Sequence, residues 1–366
     1  MSSVEAPAAP VARAASGDRA AALATVEPAP LAADPLRRRL AGVYATLVVA
    51  LGLETVASLA SGKASLADVG LRATLLELRA SRLGAGLLVG AALAVAGVLV
   101  QGLFRNPLAD PAVLGTSAGA TFGGSAALLA VELLFGRREF AGVHASFVLP
   151  LGCLAGALVS LAIVLALLRR SGDLLSLILT GFLLSSFFIS LGSLLTSLAQ
   201  ERWELGRALV AFSLGGITGT GPLHVALAAP LVFVGTAAAW FWGKPLDALL
   251  CGDEEAIALG VDVAQVRRYC ALWVAVLTAG AVALGGNIAF VGLLVPHALR
   301  PLLGVPHRRL VPVAALGGSV FVAACDLLAR SLPARGDVPL GIVTGLVGAP
   351  VFLLLLTRNQ RQQSHG

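Results

Sequence analysis

Ten stretches of this 366-residue chain are apolar for long enough to approach or cross the width of a bilayer, and this limits the fold before any other feature does. A helix rises about 1.5 Å per residue, so about 20 apolar residues carry it across the hydrocarbon core. The runs are Leu40 to Ser61, Leu83 to Leu103, Ala112 to Phe135, His144 to Leu168, Leu174 to Ala199, Leu223 to Trp242, Tyr269 to Gly285, Ile288 to Leu303, Val311 to Ser331 and Val338 to Thr357. The eighth is short and carries a proline. Between Trp203 and Pro222 the glycines at 206, 215, 216, 219 and 221 break a regular helix, so a short surface helix and a turn are expected there.

Composition agrees with that reading. Only 13% of residues are charged, against about 25% in soluble domains, and 57% are hydrophobic, which excludes soluble and disordered classes. The 42 glycines have no three-residue period, so they point to close helix packing and not to collagen. The expected fold class is an all-α polytopic membrane protein of about ten transmembrane helices. Residues 1–36, rich in Ala and Pro, are expected to form a disordered cytoplasmic tail, and 37–366 a single transmembrane domain. The first strong apolar run follows Arg37, Arg38 and Arg39, which is not the layout of a cleaved signal peptide.

The net charge of +6 needs no nucleic acid to explain it, because no basic stripe interleaves with aromatics and cytoplasmic loops of membrane proteins are basic anyway. Placing the N-terminus inside puts sixteen of the 26 lysines and arginines on the cytoplasmic side, with both termini there. Cys153, Cys251, Cys270 and Cys325 show neither metal-ligand spacing nor a paired framework and read as packing residues. On the opposite side Arg79 and Arg82 lie three apart on one helical face, and Arg330 lies one turn beyond Asp326. A single arginine there would only anchor a helix end. Three together form a basic rim suited to an acidic partner protein.

Several chemistries are missing. There is no Gly-x-x-x-x-Gly-Lys-Ser/Thr loop, so ATP hydrolysis, if used, belongs to a partner. Gly115-Thr116-Ser117-Ala118-Gly119 matches a nucleophile-elbow pattern, but it starts a membrane helix and also fits Gly-x-x-x-Gly packing, as do Gly152 to Gly156 and Gly341 to Gly345. His297 is expected to be structural, and an intramembrane enzyme would need it to meet Ser117 across two spans. An ion-coupled secondary transporter would want ionisable groups at mid-membrane, and only Glu54 and Glu132 come near, both towards span ends.

The most informative hydrophilic stretch is Gly252 to Arg268. It reads as two short helices: Asp253 caps the first, with Glu254 and Glu255 in its first turn, Gly260 ends it, Asp262 caps the second, and Arg267 and Arg268 sit at its C-terminal end. With apolar Ile257, Leu259, Val263 and Val266, such a pair is suited to slot into a cytoplasmic partner.

These residues resemble the permease subunits of ABC importers that take up iron chelates, haem and vitamin B12. The likeness covers about Leu40 to Thr357. It is carried by Gly90-Ala91-Ala92-Leu93, Gly97, Gln101-Gly102-Leu103-Phe104-Arg105-Asn106-Pro107-Leu108-Ala109-Asp110-Pro111, the Leu259-Gly260-Val261 stretch, the Phe290 to His297 run with Arg300, and Pro339 to Thr344 followed by Gly348-Ala349-Pro350.

The resemblance implies a fold like the vitamin B12 permease, in a multi-pass subunit of the bacterial inner membrane. It implies a homodimer with a central path, two ATP-binding subunits that carry ATP and Mg, and one periplasmic substrate-binding protein. No cofactor is implied for this chain itself, and its surroundings are lipid. By the same resemblance Arg79, Arg82 and Arg330 meet the binding protein, and Asn106 and Leu108 narrow the cytoplasmic end of the path. Asp253, Glu254, Glu255, Ala258, Leu259, Gly260 and Val261 belong to the element that couples to the ATPase. Haem is the expected cargo, with a ferric siderophore or cobalamin as alternatives.

Departures from the family pattern are Arg79-Ala80-Ser81-Arg82 where Arg-Leu-Pro-Arg is common, and Asp337-Val338-Pro339 for Glu-Leu-Pro. Leu174-Leu175 stands where some relatives have small hydroxyl residues, so no second gate is assigned.

Overall fold

The computed structural model describes residues 35–62, 69–139, 143–171, 174–217, 219–304, 306–332 and 338–363. Residues 1–34 of the expected tail lie outside them. The described residues are helical throughout, apart from turns and links. They form α1 (Pro35–Ala60), α2 (Val69–Leu103), a 3-10 turn (Pro111–Leu114), α3 (Thr116–Glu139), α4 (Val143–Ser171), α5 (Leu174–Ala199) and α6 (Trp203–Ser213). After these come α7 (Pro222–Leu249), α8 (Asp253–Ala258), α9 (Val263–Gly285), α10 (Val291–Leu303), α11 (His307–Ser331) and α12 (Leu340–Gln363). Nine of them are long and apolar enough to cross a membrane, and α10, with 13 residues, is the short eighth run of the sequence.

Arg79, which meets the last carbonyls of α1, and Arg105, which pairs with Asp253 of α8, sit towards the two ends of α2 and mark the opposite ends of the protein. The most apolar stretch of α2 is 78% buried and that of α1 is 0% buried, so α2 is the central post and α1 faces outward. α2 packs against α7, α9, α10 and α11, and small residues are what let it do so. A methyl group on Gly90 would fall on the backbone of Gly318, and one on Gly97 on the backbone of Gly292. In the same way Gly119 and Gly123 of α3 meet Gly156 and Gly152 of α4, so the Gly115 to Gly119 motif packs helices as expected.

Two expectations in the layout of the helices need correction, and one is met. The second span does not start at Leu83: α2 begins at Val69, so Arg79 and Arg82 lie within the helix. At 35 residues α2 is about 52 Å long, well beyond the roughly 30 Å of hydrocarbon. The region from Trp203 to Pro222 holds the short helix α6, which buries only Gly206 and Leu209 and exposes most of its other residues, and then turns at Gly215 and Gly219, as expected of a short surface helix and a turn. Lastly, the pair at 252–268 is one short helix followed by the first turns of α9. No glycine, proline or polar break follows Arg268, so the helix runs on and Arg267 and Arg268 fall in its second turn.

Near the middle of the protein three chain breaks meet. Asn287 N, between α9 and α10, donates to Phe212 O of α6 at 3.3 Å, and Gly341 N of α12 donates to Gly215 O at 3.2 Å. These bonds satisfy backbone that leaves helical geometry away from water, which is tolerated only inside protein or beside a cavity. Gly341 belongs to this junction and makes its close contacts with Leu214 and Asn287, whereas nothing in this chain lies within 4 Å of a methyl at Gly345, so the last glycine pair packs no helix against another within the chain.

Candidate functional site

At one end the three arginines singled out in the sequence come together. Arg82 sets Nε at 3.0 Å and Nη2 at 2.9 Å from Asp326 Oδ1, and Arg330 Nη2 lies 2.8 Å from Asp326 Oδ2. Arg330 also donates to Ser58 Oγ at 2.7 Å, and Arg79 Nη1 to Leu59 O at 2.7 Å and Ala60 O at 3.2 Å. The last carbonyls of α1 are thus capped by arginines from α2 and α11, as a helix C-terminus favours. Around the three opens a pocket of about 720 Å³, lined also by Ser61, Gly62, Leu75, Leu78 and Ser331. Its charge is cationic beyond what the buried Asp326 offsets.

At the other end, Asn106 Oδ1 accepts from Leu108 N at 2.9 Å, closing a tight turn that leaves Leu108 exposed. Asp110 Oδ1 accepts from Ala112 N at 2.8 Å and caps the 3-10 turn. Burial raises the pKa of the Asp110 carboxyl, and the Ala112 N–H pulls the other way. Close by, α8 starts at Asp253 with Gly252 as its cap, so Asp253 does not cap the helix as the sequence implied. Its carboxylate instead pairs with Arg267, at 2.8 Å, and with Arg105. Glu254, Glu255, Ala258 and Leu259 are exposed there and Val261 is half-buried, and Gly260 turns the chain with φ 79°, as expected. Asp262 caps α9 by accepting from Gln265 N at 2.9 Å, also as expected.

Between the two ends lies a cavity of about 500 Å³ on the faces of α3 and α5. Its polar lining is Ser117, Thr121, Ser125, Ser185, Ser193, Thr196, Ser197, Gln200, Ser213 and Asn287, its aromatic lining Phe122 and Phe188, and it contains no ionisable side chain. Along α5 it runs from Ser185 to Gln200, about 22 Å at helical rise. The 106–108 turn stands beyond its Ala112 end. Sequence reasoning did not single out this lining, although Ser193, Thr196, Ser197 and Gln200 recur at helical spacing on one face of α5. Ser117 faces the cavity while His297 packs edge-on against Phe352 at 5.5 Å, and the structure places no strand before Ser117 among the described residues.

Residues 41–358 match the model of the FecCD transport family. The chain is 38% identical over 284 residues to the Fe(3+) dicitrate transport system permease protein FecD of Escherichia coli, covering 78% of this chain and 85% of that one. It is 36% identical over 290 residues to the hemin transport system permease protein HmuU of Yersinia pestis, covering 79% and 84%. A solved inward-facing conformation of a metal-chelate type ABC transporter superposes with a TM-score of 0.75 at 30% identity, over 87% of this chain and 99% of that one.

Proposed function

The chain belongs to the FecCD transport family, as a multi-pass membrane subunit without an ATPase site of its own, and on that footing we propose how its parts serve an ABC importer. The cargo is an iron-containing chelate, with haem favoured. Two copies enclose the path, two ATP-binding subunits dock at α8 and the start of α9, and one periplasmic binding protein docks at the opposite end. Both termini then lie in the cytoplasm, as the basic residues of the α8 side favour.

The observation that carries this reading is the placement of the cavity. It lies between a cationic pocket at one end and the 106–108 turn with the α8–α9 pair at the other. A path without ionisable lining offers no side chain to carry a proton across, which speaks against proton coupling and agrees with a drive supplied by partner ATPase subunits. Neutral hydroxyl and amide groups let a large polar cargo slide without a strong site to hold it. Arg79, Arg82 and Arg330 would meet carboxylates of the binding protein, Asn106 and Leu108 would narrow the exit, and Asp253, Glu254, Glu255, Ala258, Leu259, Gly260 and Val261 would contact the ATPase. Haem is favoured by the Gln101 to Pro111 stretch, and the hemin permease is among the relatives of similar identity, beside a ferric dicitrate permease.

The test is uptake into proteoliposomes holding this chain with its ATPase subunit, with the binding protein presented in turn with haem, a ferric siderophore and cobalamin. ATP-dependent accumulation of haem alone supports the full reading. Accumulation of another ligand replaces the cargo, and uptake that ignores ATP and the binding protein overturns the importer.

A further inference from the structure

The turn that ends α2 carries an arginine where the backbone favours glycine. Arg105 N donates to Gly102 O at 3.2 Å and Asn106 N to Gln101 O at 3.1 Å, which is the bond pair of a Schellman cap. Arg105 occupies the left-handed position of that cap with φ 49°. A glycine there would relieve the backbone, so the side chain has a use that outweighs the strain. Its guanidinium pairs with Asp253, the first residue of α8, and Arg267 of α9 closes on the same carboxylate at 2.8 Å. The two residues that follow it in the chain are Asn106 and Pro107, and Leu108 completes the turn.

We propose that Arg105 is the positioning residue through which a displacement of the α8–α9 pair reaches the 106–108 turn. The inference rests on the importer reading and adds to it the connection between the ATPase-facing element and the exit. The α2 side of the turn is held: Gln101 is buried, donates to Gly292 O at 3.3 Å and Leu293 O at 3.4 Å, and accepts from Arg300 Nε at 3.3 Å. Movement of Asp253 therefore rotates Arg105 and the peptide after it, while α2 stays in place. The three charged side chains are all partly exposed, at 36%, 40% and 45%, so the link weakens as salt rises.

The experiment needs no cargo. In the assembled complex with its ATPase subunit, with the exposed Cys251 changed to Ser, Leu108→Cys reports on the turn through its rate of maleimide labelling with and without ATP. ATP is expected to change that rate about fivefold or more in the otherwise unaltered chain. Arg105→Gly, which relaxes the backbone and so folds at least as well, is expected to cut the change below about twofold while the complex still co-elutes, and Arg105→Lys to keep most of it. An ATP response as large in Arg105→Gly as in the unaltered chain overturns the link, and so does an unaltered chain whose turn ignores ATP. Uptake by the same unaltered complex decides the importer reading separately.

Discussion

Arg82 places both Nε and Nη2 on a single oxygen of Asp326, although 244 residues separate the two in the chain. The Asp326 side chain is only 4% exposed and is shared with Arg330, so it is the anion around which α2 and α11 are locked together at this end. Removing one partner of a buried pair leaves the other uncompensated. Asp326→Asn is expected to destabilise the protein by about 2–4 kcal/mol, read as a lower thermal midpoint in detergent. Asp326→Glu should recover part of the loss.

The cationic pocket leads to a binding prediction. Reversing Arg79 and Arg82 together to Glu is expected to weaken docking of the binding protein by about tenfold or more, chiefly through a slower on-rate. Surface resonance on nanodiscs would read it, and the unaltered pair should show the steeper salt dependence. Because Arg82 also holds buried Asp326, the thermal midpoint is read alongside: weaker docking at a retained midpoint supports the interface, and unchanged affinity would remove the arginines from it.

Small residues at helix crossings allow a paired comparison. Gly97→Ala drives a methyl into the Gly292 backbone and is expected to cost about 1–3 kcal/mol as an overpacked contact. Gly345→Ala meets nothing within 4 Å and should be neutral or slightly stabilising, since alanine favours helix by about 1 kcal/mol over glycine. Thermal denaturation of the two variants side by side checks both.

Filling the cavity should block it. Ser193→Trp introduces an indole among Phe188, Thr196 and Asn287, and is expected to reduce uptake about tenfold or more with docking unaltered. Ser193→Ala removes one neutral contact among ten polar groups and should lower uptake less than about threefold. Uptake and docking measured on the same proteoliposomes separate the two effects.

Much of this was readable from residue patterns. The bounds of α5 are the expected Leu174–Ala199, because apolar runs with polar ends fix a membrane helix from one-dimensional information. The rim arginines were visible as basic residues at helical spacing. What the pattern hid was the reach of α2: Arg72, Glu77, Arg79 and Arg82 interrupt the apolar run, yet arginine, glutamate, leucine and alanine all favour helix, so the helix continues where hydropathy stops. Contacts between distant positions, such as Arg105 with Asp253, are set by which turns the tertiary fold brings together. No spacing rule reaches across 148 residues. The central junction was hidden for a similar reason, since its glycines signal a break in the chain but not the partner that the break will meet.

The brevity of α10 governs how the chain is made. Thirteen residues cover about 20 Å, too little for a bilayer, and Pro296 and Pro301 weaken the helix further. Released alone into lipid, this segment would expose backbone groups at its Phe290 end with nothing to bond them. It therefore rests at membrane depth only against its neighbours, and those it packs on are α1, α2, α11 and α12. Two of those helices follow it in the chain, so a nascent chain ending just after Leu303 would lack much of what covers residues 291–303, and their settling is expected to wait for α11 and α12.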